Sequence, residues 1–136
     1  LQYGLRPAEL EDFERCHGIR LHHFEGIGEN LQATAALTAA LDLVITVQQT
    51  ALHIAGGLGV PAWVLVPAVA EWRYGLEGTS MPWYSSVQLF RQQHAGVWQS
   101  VIEALVQGLG AWLVGHNGAI NCSGPGPEPH ADGDRP

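Results

Sequence analysis

The sequence contains no lysine: its six basic side chains are all arginines, set against 13 carboxylates for a formal net charge of −7. The missing lysine excludes a Walker-type phosphate loop and Schiff-base chemistry, because both require one. The arginines are scattered, which argues against a nucleic-acid-binding module, since binding to phosphate backbones depends on clustered basic residues. An anionic ligand must therefore be held by helix N-termini, backbone amides, His or Arg.

Cysteine and long apolar runs are also scarce. Cys16 and Cys122 lie far apart and fit neither a disulfide framework nor a zinc pattern. Apolar runs such as Asp42–Val47 fall far short of the ~18 residues of a membrane span, and the N-terminus lacks a signal-peptide pattern. His22 and His23 are adjacent on a predicted strand and face opposite ways, so no metal site is expected. These absences predict a cytoplasmic protein with reduced thiols and no membrane span.

Strand-like and helical patterns alternate along the first 116 residues. We predict helices over Pro7–Cys16, Leu31–Leu41, Thr50–Leu58 and Val97–Leu113. We predict strands over Leu1–Gly4, Arg20–Phe24, Asp42–Val47, Ala62–Val66 and Val87–Phe90. The β-branched run Asp42–Val47 is typical of a central parallel strand covered by helices. The alternation predicts an α/β fold, a partial Rossmann-like parallel sheet with helices on both faces.

The two remaining stretches differ in composition. Residues 117–136 include the run GPGPEP and have almost nothing to bury, so we predict a disordered tail after a domain spanning residues 1–116. Pro67–Ser86 is a long loop that carries four aromatic side chains, Trp72, Tyr74, Trp83 and Tyr84. Loops of this length usually bind something.

The junction Val47-Gln48-Gln49-Thr50 is the first candidate site, because ligands of parallel sheets bind beyond the carboxyl ends of the strands. Thr50 is expected to act as the N-cap of the following helix, leaving amides from Ala51 onward for a phosphate. His53 lies one turn further on. It either donates a hydrogen bond to the anion or is a structural residue of an apolar helix.

Three further features each have two interpretations. Glu25, after the predicted strand Arg20–Phe24, is either a ribose ligand or a solvated carboxylate. Arg73 either meets a diphosphate or stacks on Trp72. The run Gly56-Gly57-Leu58-Gly59 closes a helix, whereas a dinucleotide fingerprint opens one, so close packing of helix on sheet explains it better.

The segments LDLVITVQQTALHIAGGLGVPAWVLVP and EWRYGLEGTSMPWYSSVQLFRQ, with the opening LQYG, resemble the C-terminal part of bacterial glycosyltransferases of the heptosyltransferase type, particularly those fused behind tetratricopeptide repeats. This resemblance covers about residues 1–110. It implies half of a GT-B fold, in which two Rossmann-like domains face a cleft. It also implies that this half holds a nucleotide-sugar donor, with the nucleotide-sugar as substrate and no cofactor or metal.

The resemblance also implies site residues. The family's strand-end Asp-Thr-x-x-x-His pattern falls on Gln48, Gln49 and His53, and an uncharged Gln48 replaces the usual acid. Applied to this sequence, the family's donor site would place Gln48, Gln49, Thr50, Ala51 and His53 at the diphosphate. It would place Tyr3 and Glu25 on the ribose and base side, and Trp72 and Arg73 over the donor.

The catalytic base of such enzymes comes from an N-terminal acceptor domain, which would be this chain's partner within a longer protein. No residue of the 136 is a convincing general base, so we assign no catalytic residue. The predicted function is donor binding within a glycosyltransferase acting on a protein or glycan acceptor. The alternative is a non-catalytic α/β interaction module or a decayed fragment of such an enzyme.

Overall fold

The computed structural model describes residues 7–24 and 26–117. Its α-helices are α1 (Pro7–His17), α2 (Leu31–Ala39), α3 (Thr50–Leu58) and α4 (Gln99–Asn117). Its strands are β1 (Val44–Val47), β2 (Ala62–Val66), β3 (Ser80–Met81) and β4 (Tyr84–Arg91). Among these helices, none is both long and apolar enough to cross a membrane.

The chain divides into two compact units, Leu1–Val101 and Ile102–Pro136. The first contains the sheet, and the second contains most of α4. The predicted domain boundary at residue 116 stays a prediction. The predicted strand Leu1–Gly4 lies outside the described residues, and so does the predicted tail apart from Asn117, the last residue of α4.

The sheet has the strand order β1-β2-β4-β3. The first three of these strands are parallel, with Val44 opposite Ala62 and Ala62 opposite Val87, while β3 runs antiparallel to β4. The predicted α/β fold, a sheet flanked by helices, is confirmed. Its antiparallel edge was not predicted, because β3 is only two residues long and lies inside the segment interpreted as loop.

The core is centred on β2, which is buried on both faces. Ala62, Val64 and Val66 are fully buried, and α3 adds Leu52 and Ala55 to the same cluster. Burying an aliphatic side chain of this size contributes about 1.5–3 kcal/mol relative to exposure. The carboxyl ends of β2 and of its neighbours β1 and β4 are therefore held in place by the buried core.

Two strand predictions were wrong, and a third, Val87–Phe90, was too short, because β4 already begins at Tyr84 within the predicted loop. β1 lies at the edge of the sheet, where Ile45 and Val47 are 43% and 51% exposed, so it is not the central strand that its composition suggested. A run that is apolar on both faces does not distinguish an edge strand from a central one. Residues 20–24 form an exposed irregular segment, since no described strand pairs with them.

Of the three glycines at the end of α3, Gly56 alone has the packing role expected of them. Gly59 ends the helix in the left-handed region, at φ 72°, which a glycine adopts without strain. Gly56 lies against the ring of Tyr84 on β4, and a Cβ added there would stand 2.4 Å from Cγ of that ring. A Cβ on neighbouring Gly57 would meet nothing within 4 Å.

Gly56→Ala and Gly57→Ala are therefore expected to change the free energy of unfolding in opposite directions. The first forces the Tyr84 ring to move and should destabilise the protein by about 1–3 kcal/mol. The second replaces a helical glycine in open space and should stabilise it by about 0.5–1 kcal/mol. Urea unfolding of both variants measures the difference, and equal effects would contradict the close packing of α3 on β4.

Candidate functional site

The carboxyl ends of β1, β2 and β4 lie along one edge of the sheet, because the three strands are parallel. A cavity of about 210 Å³ opens beside this edge, where β1 passes into α3. We call it the strand-end cavity, and it is lined by Gln48, Gln49, Thr50, His53, Glu71, Arg73 and Tyr74. The structure thus brings the predicted junction together with the predicted arginine of the long loop.

The start of α3 differs from the prediction that Thr50 caps it. Gln49 is the N-cap, in an extended conformation, and its side chain makes no capping hydrogen bond. Instead, Nε2 of Gln49 donates to Oγ1 of the buried Thr46 at 2.6 Å. Thr50 is the first helical residue, so its hydroxyl does not occupy the capping position. The positive end of the helix, with the amides of Thr50 and Ala51, is left without a side-chain cap.

His53 is held in place by Tyr84. Its Nδ1 lies 3.3 Å from the Tyr84 hydroxyl, and the two rings meet edge to face with centroids 5.9 Å apart. When the hydroxyl donates to Nδ1, the ring proton lies on Nε2, which can then donate to an anion. The two interpretations of His53 are therefore compatible, because one ring nitrogen has a structural partner and the other can serve a ligand.

Arg73 reaches the cavity from a short 3₁₀ turn, Trp72–Tyr74. Its Nε lies 3.0 Å from Oε2 of Glu71 in an ion pair that lacks hydrogen-bond geometry. Its guanidinium carbon also lies 5.8 Å from the centroid of the Trp72 ring. Stacking on the tryptophan, one of the two interpretations of Arg73, is thus observed, and the same side chain lines the strand-end cavity. Glu71 offsets part of the positive potential there.

Arg91 holds the loop that carries these residues, a role that no local pattern in the sequence indicates. Its Nε donates to the carbonyl of Gly78 at 2.6 Å, and Nη1 donates to that of Gly75 at 3.3 Å. Nη2 donates to the carbonyls of Tyr74 and Glu77. We call this set of hydrogen bonds the Arg91 clamp. It fixes residues 74–78 to the end of β4.

Two buried polar groups border the site. Nε2 of Gln48 is buried and has no hydrogen-bond partner among the described residues. Tyr74 is 2% exposed and belongs to the core cluster. Its burial, and secondarily the nearby carboxylate of Glu71, raise the pKa of the Tyr74 phenol above its ordinary value of 10.0.

The other predicted site residues have different outcomes. Tyr3 and Glu25 lie outside the described residues. Trp72 lines a second cavity of about 320 Å³ rather than the first, together with His53, Arg73, Trp83 and Tyr84. We call this one the aromatic cavity. Across residues 7–24 and 26–117, no three metal-ligating side chains come together.

Comparison with known proteins corrects the expected family. No family model matches the chain, and no solved structure matches it. Protein FlbA of Caulobacter vibrioides is 37% identical to it over 101 residues, which make up 73% of this chain and 17% of FlbA. The chain thus spans about a sixth of the length of that relative. The expected membership in the heptosyltransferase-type glycosyltransferases, with its tetratricopeptide repeats, is wrong, because the similarity found is to FlbA and not to that family.

Tyr74 predicts how stability changes in alkali. Above about pH 10 the unfolded chain loses the phenol proton while the folded chain keeps it, so the free energy of unfolding falls as pH rises. No lysine titrates in this range, which makes the contribution easier to isolate. Urea unfolding between about pH 9 and 11 should show a shallower decline for Tyr74→Phe than for the parent chain. Identical slopes would contradict the burial of this phenol.

Proposed function

We propose that this chain binds a nucleotide-sugar through its diphosphate and forms the donor-binding part of a glycosyltransferase acting on a protein or glycan acceptor. The observation that carries the proposal is the strand-end cavity. There an uncapped helix start, His53 and Arg73 converge at the carboxyl edge of a parallel sheet. Such edges are where α/β folds bind phosphorylated ligands. The proposal rests on this geometry and not on family membership.

The hydrogen-bond donors of the site suit an anion, while the Glu71 carboxylate offsets part of the Arg73 charge. The chain as a whole carries a formal charge of −7, so a phosphate is attracted by local groups and not by a general field. The available groups are the amides of Thr50 and Ala51 at the positive end of α3, Nε2 of His53, and the guanidinium of Arg73. An arginine can bind two phosphate oxygens at once, and a helix start adds a partial positive charge.

The same groups suit the chemistry of sugar transfer. When the bond between the sugar and the diphosphate breaks, negative charge develops on the leaving phosphate. Donors that already point at that phosphate stabilise the developing charge without reorganising. The base that activates the acceptor hydroxyl would come from another part of a longer protein, an acceptor domain.

A second candidate function, a non-catalytic interaction module, is favoured by the edge strand β1. Ile45 and Val47 are half exposed on one face, and β1 pairs with β2 alone among the described strands. An unpaired, apolar strand edge is a surface on which another chain can add. This candidate predicts that the strand-end cavity binds no nucleotide.

Calorimetric titration of the 136-residue chain with uridine, guanosine and adenosine diphosphates separates the two candidates. We expect saturable binding of at least one of them. Arg73→Gln should weaken it about tenfold, the loss of one charge-assisted contact. Glu71→Gln should strengthen it about threefold, because the competing carboxylate is gone.

Arg15→Gln is the matched control, since Arg15 forms an exposed ion pair with Asp12 on α1 and does not line the cavity. The Arg15→Gln variant should bind the diphosphates with the same affinity as the parent chain. A chain that is folded by circular dichroism and binds none of the three diphosphates would overturn the proposal and favour the interaction module.

A further inference from the structure

The aromatic cavity adjoins the strand-end cavity. The two cavities share His53 and Arg73 in their linings. The remaining walls of the aromatic cavity are Trp72, Trp83 and Tyr84. A ligand bound at the start of α3 therefore has an aromatic surface directly beside it.

The two tryptophans make specific contacts although they are exposed. Their ring centroids are 6.4 Å apart, and their planes are nearly perpendicular, at 87°. Nε1 of Trp83 donates to the backbone carbonyl of Arg73 at 3.2 Å, and the Arg73 guanidinium lies over Trp72. Even so, 78% of Trp72 and 61% of Trp83 face solvent. Indole rings held in place but left uncovered form a surface suited to a ligand.

The arrangement of the rings selects the kind of ligand. A flat nucleobase is bound best between two parallel faces, whereas two perpendicular indoles form a corner. A pyranose ring has one face of C–H groups and a rim of hydroxyls. The C–H groups carry partial positive charge and pack on the negative face of an indole. The hydroxyls can bond to polar groups around this corner that the diphosphate leaves available, which are the Tyr84 hydroxyl and the remaining N–H groups of Arg73.

We propose that the aromatic cavity binds the glycosyl ring of the nucleotide-sugar, with Trp72 as the face on which the ring packs. This inference rests on the proposed function, because it takes the diphosphate to lie in the strand-end cavity. The sugar is bonded directly to that diphosphate, so the two adjoining cavities match the order of groups along the ligand. The nucleobase then extends away from Trp72 and Trp83.

The test compares affinities for a nucleoside diphosphate and for the same diphosphate carrying glucose, measured by calorimetry. The readout is the ratio of the two dissociation constants. Trp72→Ala removes the ring beside Arg73 and so can weaken the binding of the diphosphate group. Both ligands carry that group, so this effect cancels in the ratio. We expect Trp72→Ala to weaken binding of the nucleotide-sugar about fivefold to tenfold more than binding of the diphosphate. Trp72→Phe, which keeps an aromatic face, should recover most of this loss.

Trp98→Ala is the matched control, because Trp98 is a partly exposed tryptophan that lines neither cavity, and the ratio should not change. A parent chain that binds diphosphates while Trp72→Ala leaves the ratio unchanged would overturn this inference alone. A parent chain that binds neither ligand would overturn the proposed function, and this inference with it.

Discussion

The Arg91 clamp is the interaction on which the candidate site depends. Arg91 is the last residue of β4, and its guanidinium donates to four backbone carbonyls of residues 74–78. Since β4 pairs with β2, whose Ala62, Val64 and Val66 are fully buried, the clamp ties the long loop to the core of the sheet. A lysine could not replace it, because a single ammonium lacks the planar set of donors that reaches several carbonyls at once.

The clamp places Tyr74, the first residue that it holds, and Arg73, the residue just before it. Tyr74 enters the core, and Arg73 is thereby held beside the start of α3. On the other side of the site, Tyr84 rests on Gly56 and contacts His53. Arg73 is thus positioned by the loop that Arg91 restrains, and the His53 ring is positioned by Tyr84 on β4. The helix amides of the cavity come from α3. The site is preorganised by packing that lies outside it.

The parts of this arrangement that follow from local sequence were predictable. The bounds of α3 and β2 agree with the prediction, because a helical apolar pattern ends at Gly59 and a short apolar run begins after Pro61. Gln48 and Arg73 line the same cavity, as expected for residues that follow the carboxyl ends of neighbouring parallel strands.

The parts that depend on long-range contacts were not predictable. One local prediction also failed: Gln49 and not Thr50 occupies the N-cap position of α3, and its side chain donates to Thr46 three residues earlier and does not cap the helix. The roles of Arg91 and Tyr84 arise from contacts across 13 to 17 and 31 positions of the chain. No pattern within a helix or strand encodes such contacts. The family resemblance was wrong as well, because no family model matches the chain and the similarity found is to FlbA.

The central claim is that an anion binds at the start of α3. Nuclear magnetic resonance of the ¹⁵N-labelled chain tests it directly, because each backbone amide reports on its own surroundings during titration with a nucleoside diphosphate. The account predicts that the largest shifts occur at the amides of Thr50 and Ala51 and at Nε of Arg73. Saturable shifts confined to other regions, such as the cavity lined by Pro67, Glu77 and Gln92, with no change at Thr50 or Ala51, would contradict it.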